Sequence, residues 1–135
     1  MEQIQSGIEN QAYPFEDLEA ILNRFAFSVG GSWEYDHAYF DHKLEQTDEG
    51  YAFLRIPVTT EIGTIGEKDA HVRIGSPFVL VHRFEAGTDQ QGISGNIQGS
   101  FNQFQSPEEP DADIDETYIE QAETVIQEVE KVLLQ

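Results

Sequence analysis

The sequence predicts an α+β domain: an antiparallel β-sheet with an N-terminal helix and a long C-terminal helix packed on one face. Three observations carry this expectation. Apolar residues recur at helical spacing near the start and at the end of the chain, they alternate with a period of two in between, and short turn-forming stretches join the alternating runs. The 135 residues suit one compact core, so a single domain is expected over residues 1–135.

Behind Tyr13-Pro14, Leu18, Ile21, Leu22 and Phe25 fall at i, i+3, i+4 and i+7, with Glu16, Asp17 and Glu19 where the positive end of a helix favours acids. This predicts the first helix. From Phe27 the period changes: Phe27, Val29, Gly31, Trp33 and Tyr35 alternate with smaller or polar residues, which predicts a strand ending near Asp36 to Ala38. Phe40, His42 and Leu44 share one face of a second strand, and QTDEG at 46–50 closes a hairpin. In YAFLRIPV, from Tyr51, Ala52, Leu54, Ile56 and Val58 point one way, and Tyr51, Phe53, Arg55 and Pro57 the other. Pro57 has no N–H to donate, which predicts an edge or a strand end.

After the glycine-punctuated TEIGTIGEKD, the runs AHVRIG and FVLVHRF flank Ser76-Pro77 and read as another hairpin; a two-residue turn there would set His71 opposite His82. Gly92, Gly95 and Gly99 in GISGNIQGSFNQF predict a bulged, weak strand. Pro107 and Pro110 make SPEEPDAD a linker, and Asp113 with Glu116 has capping-box spacing. Tyr118, Ala122, Val125, Ile126, Val129, Val132 and Leu133 then form the apolar stripe of the final helix.

Twenty-six acids against seven bases give a formal charge of −19, which argues against nucleic acid and anionic membranes as partners, because like charges repel. With no cysteine, disulfides, thiolate metal sites and cysteine nucleophiles are excluded. The N-terminus lacks a basic start before an apolar run, and nothing approaches the ~20 apolar residues of a membrane span. A cytoplasmic protein is expected.

Two Asp-His pairs, Asp36-His37 and Asp41-His42, carry the residue types that transition metals bind. Adjacent residues of a straight strand face opposite sides, so neither pair chelates without a turn. No HExxH spacing, G-x-S-x-G elbow or phosphate-binding glycine pattern is present. No catalytic residue, metal or cofactor is therefore assigned. A rival reading remains, a small-molecule-binding or metal-assisted enzyme centred on Trp33, Tyr35, Asp36, His37, Asp41 and His42.

The second face of the sheet is aromatic where an uncovered face should be polar. Tyr51, Phe53, Arg55, Phe78 and Phe84, together with Trp33 and Tyr35, are residue types enriched at interface centres. Three fates are open: pairing with a second copy, cover by loops and the N-terminal segment of the same chain, or a pocket for a small apolar ligand. A homodimer is the leading expectation, with a further protein or small-molecule partner as the alternative.

In their order, GGSWEYDHAYFDHK, YAFLRIPV, VRIGSPFVLVHRFE and SFNQFQSPEEPD resemble the YugN-like family of small proteins from Gram-positive spore-forming bacteria, over essentially the whole chain. The resemblance implies a bacterial cytoplasmic setting and one α+β domain. It implies no activity, cofactor or catalytic residue.

Overall fold

Thirteen residues of one strand organise the molecule. The computed structural model describes residues 1–30, 36–65, 67–84 and 114–135, and its element order is β1 (Glu2–Gln3), β2 (Ala12–Pro14), α1 (Phe15–Asn23), β3 (Phe27–Val29), β4 (His37–Thr47), β5 (Gly50–Ile62), β6 (His71–Ile74), β7 (Phe78–Arg83) and α2 (Glu116–Leu133). Among the described residues all strand pairings are antiparallel. β5 has β4 along one side and both β6 and β7 along the other. β3 flanks β4, while β1 and β2 flank β7 and β6.

β6 and β7 are therefore not a hairpin. They run one after the other along β5, with Val58 opposite Ile74 and Arg55 opposite Phe78. Gly75-Ser76-Pro77 bends the line without reversing it. His71 thus pairs near Ile62 and His82 with Tyr51, at opposite ends of β5. The same break explains Pro57, which is no edge residue: its carbonyl accepts from Gly75 N at 2.8 Å, so its missing N–H faces the point where the neighbouring strand is interrupted.

The N-terminal segment also differs from expectation, because it lengthens the sheet. Gln3 pairs with Phe78 and Ala12 with Arg73, and between them the chain leaves the ladder to bury Ile4 and Ile8. Ile4 N donates to Pro77 O at 2.8 Å and Asn10 N to Ile74 O at 2.7 Å. Asn10 takes the positive φ of 72° that Asn tolerates better than most residues. The excursion is tied to α2 by Glu130 Oε2, which accepts from Ser6 Oγ at 2.7 Å and Gly7 N at 3.2 Å.

Both helices cover the sheet face that carries Phe40, Leu54, Ile56, Val58, Val72, Ile74 and Val79, all of them buried. α1 contributes Phe15, Leu18 and Leu22, its Phe15 ring lying 5.6 Å from that of Phe40. α2 contributes Ala122, Ile126 and Val129. Each fully buried Leu, Ile or Phe is worth about 1.5–3 kcal/mol against exposure, so this layer carries most of the stability. Tyr13 OH donates to Leu133 O at 3.1 Å, satisfying a carbonyl that the end of α2 leaves without a helical partner.

α2 begins at Glu116, and its cap is Asp115, whose carboxylate accepts from Thr117 N at 2.8 Å. Those hydrogen bonds hold the Asp115 carboxyl below its ordinary pKa. Asp113, the cap expected from spacing, lies outside the described residues, as do GISGNIQGSFNQF and SPEEPDAD. A bulge between Lys43 and Glu45 turns both Leu44 and Glu45 toward the helices. Leu44 packs on the core, and Glu45 accepts from Tyr118 OH at 2.5 Å, which pushes the phenol pKa up. In the hairpin turn after it, Gly50 has φ +154° and a side chain there would drive into the His82 carbonyl. Among the described residues, no helix is long and apolar enough to cross a membrane.

Ala26 follows α1 with φ 65°, a conformation that costs a residue with a Cβ roughly 1–2 kcal/mol. Ala26→Gly removes that cost and adds some unfolded-state entropy. The expected net gain is about 0.5–1 kcal/mol, read as a higher urea midpoint with an unchanged slope.

Candidate functional site

Alternation along the strands sends every second side chain of β4, β5 and β7 away from the helices. On β5 these are Tyr51, Phe53, Arg55 and Pro57; opposite them lie Phe78, Leu80 and His82 of β7, and Tyr39, Asp41 and Lys43 of β4. Tyr51 is the hub of the aromatic end. Its ring centroid lies 5.0 Å from Phe53, 4.8 Å from His82 and 6.0 Å from Phe84, distances at which tilted and edge-on rings attract. Tyr51, Phe53, Phe78 and Leu80 are half-buried, and Phe84, just beyond β7, is 46% exposed.

Beside the rings lies a charge pair. Arg55 Nε donates to Asp41 Oδ1 at 2.8 Å and Nη2 to Oδ2 at 3.0 Å, the two-pronged geometry in which a guanidinium and a carboxylate neutralise each other most fully. The Arg55 side chain is 26% exposed and that of Asp41 15%. The Arg55 guanidinium carbon also sits 4.7 Å from the Tyr39 ring centre, a cation over a negative π face. The hydrogen bond to Asp41 raises the Arg55 pKa further above its already high value, with burial acting in the opposite direction.

The Asp-His pairs separate as strand alternation requires. Asp41 joins Arg55 on the aromatic face, while His42 turns toward the helices, where its Nδ1 lies 2.9 Å from Phe25 O and its ring 5.2 Å from Phe27. A carbonyl accepts only, so His42 Nδ1 carries the proton. His37 and Asp36 meet each other at 3.1 Å in an exposed position, as a turn at 36–38 allows. Among the described residues no three His, Asp or Glu side chains are grouped to hold a metal ion.

Of the residues singled out from sequence, Tyr51, Phe53, Arg55 and Phe78 come together on the one face, Phe84 stands at its end, and Trp33 and Tyr35 lie outside the described residues. Tyr39 and the Asp41 partnership with Arg55 were not anticipated. Their signal was available in the hairpin register, since counting back from the Asp48-Glu49 turn places Asp41 opposite Arg55 once the bulge at Leu44 is allowed for.

The model of the YugN-like family matches residues 3–133. A Bacillus subtilis (strain 168) protein named "Uncharacterized protein YugN" is 42% identical over 131 residues, covering 97% of each chain. The crystal structure of a conserved protein YugN from Geobacillus kaustophilus HTA426 superposes with a TM-score of 0.72 at 19% identity, over 97% of this chain and 93% of that one; at that identity the likeness concerns the fold.

Arg55→Ala leaves the Asp41 carboxylate with little water and no guanidinium, so a loss of about 1–3 kcal/mol is expected in urea unfolding. The double replacement Asp41→Ala/Arg55→Ala should cost about 1 kcal/mol less than the two single replacements summed. Additive costs would mean that the pair is not coupled.

Proposed function

This chain belongs to the YugN-like family, and from that premise we propose that it works by association rather than by catalysis, as a homodimer in the bacterial cytoplasm that uses the aromatic sheet face as its contact surface. One observation carries the reading. β5 has apolar side chains above and below, and the helices take up only one side. Half-buried aromatic rings beside a neutralised Arg are the composition of interface centres. A two-fold pairing of like faces is the simplest way to bury them, because each patch is its own complement. The alternative of a metal-assisted or small-molecule site around Trp33 to His42 finds less support, since Asp41 and His42 point to opposite faces and each is engaged elsewhere.

Equilibrium sedimentation at micromolar concentration should give twice the 15.3 kDa chain mass for the wild type. Phe53→Asp should give the single-chain mass with unchanged circular dichroism, because a dry interface cannot accommodate an unpaired carboxylate. A wild type that sediments as one chain refutes the proposal. A Phe53→Asp chain that fails to fold would show instead that the face is closed within one chain.

A further inference from the structure

Resting on the association reading, we infer that ionic strength gates the meeting of two copies: salt promotes it, because the described sheet face is near neutral while the helices behind it are acidic. The described charged side chains on the aromatic face are Asp41, Lys43, Arg55, Glu61 and Arg73, with Asp36 at its edge beside His37. Asp41 is held two-pronged by Arg55, and Glu61 likewise by Arg73, at 2.9 Å for both contacts. With Lys43 and Asp36 added, three bases meet three acids and the described part of the face is near neutral. The helical layer is the reverse. α1 carries Glu16, Asp17 and Glu19 with no base within its bounds, and α2 carries Glu116, Glu120, Glu123, Glu128 and Glu130 against Lys131.

Two chains of formal charge −19 repel at long range, and among the described surfaces the sheet face carries less net charge than the helical layer. Meeting face to face also keeps the two helical layers furthest apart. With layer spacings of about 10 Å, they stand roughly 30 Å from each other across the paired sheets. That is about three screening lengths at 0.1 M salt and about one at 0.01 M. The acidic layers therefore oppose dimerisation in dilute buffer and are largely silent at physiological salt. An interface held by ion pairs between the copies would show the opposite slope, weakening as salt is added.

Sedimentation equilibrium across about 0.01–0.3 M NaCl tests the inference, and the association constant should rise by about tenfold or more over that range. Salting-out of apolar surface would raise it too, so a second variant separates the causes. Glu120→Lys/Glu123→Lys lies on the exposed side of α2, away from the aromatic face, and changes the net charge from −19 to −15 because each replacement removes one negative and adds one positive charge. It should associate more tightly than the wild type at about 0.01 M and show a flatter salt dependence. A constant that falls with salt, or one that the lysine pair leaves unchanged, overturns the gating and leaves the association reading standing. A wild type that is a single chain at every salt concentration overturns both.

Discussion

The structure depends on one strand that is hydrogen-bonded along both edges and apolar on both faces. β5 reaches from Gly50 to Ile62, long enough to hold β4 on one side and two successive strands on the other. Its inward residues Ala52, Leu54, Ile56 and Val58 are buried to within about 1% and give the helices the floor they pack on. The outward residues cannot share that floor, because the pleat sends them to the other side. Whatever becomes of Tyr51 and Phe53 is therefore decided away from the helical core.

The polar groups of the outward face are arranged so as not to obstruct burial. Asp41 and Arg55 cancel each other, and the Tyr39 ring lies against the Arg55 guanidinium. A lone carboxylate or guanidinium in that position would have to be stripped of water at a cost of several kcal/mol before any contact formed. Paired, they make a patch that is polar in composition and close to neutral in field. The acids of α1 and α2 lie on the far side of the sheet, so the part of the negative charge that the helices carry is kept away from this face.

Much of this was legible in the residues. The two helices and the β4–β5 hairpin follow from periods of 3.6 and 2 sustained over enough residues to be unambiguous, and the turn between the strands is marked by Asp, Glu and Gly. The failures have physical causes. Gly75-Ser76-Pro77 can reverse a chain or merely bend it, and the choice is made by the length of β5, which offers pairing to both flanking runs at once. β1 and β2 have two and three residues, too few to display alternation, and exist because β6 and β7 present an edge to them. The cap of α2 moved from Asp113 to Asp115 because acids at alternate positions before the helix are chemically equivalent, and only the backbone path selects one. At the site, the aromatic and basic residue types of β5 and β7 were visible, whereas the Asp41–Arg55 pair needed a register that the bulge at Leu44 alters.

Ring protons of Tyr51 and Phe53 observed by nuclear magnetic resonance, with a soluble paramagnetic agent at low and at high protein concentration, test the central claim most directly. Strong relaxation of both rings in dilute solution, lost as the concentration is raised, is the result expected of a face that is open in one chain and closed between two. Rings equally accessible, or equally shielded, at both concentrations would contradict it.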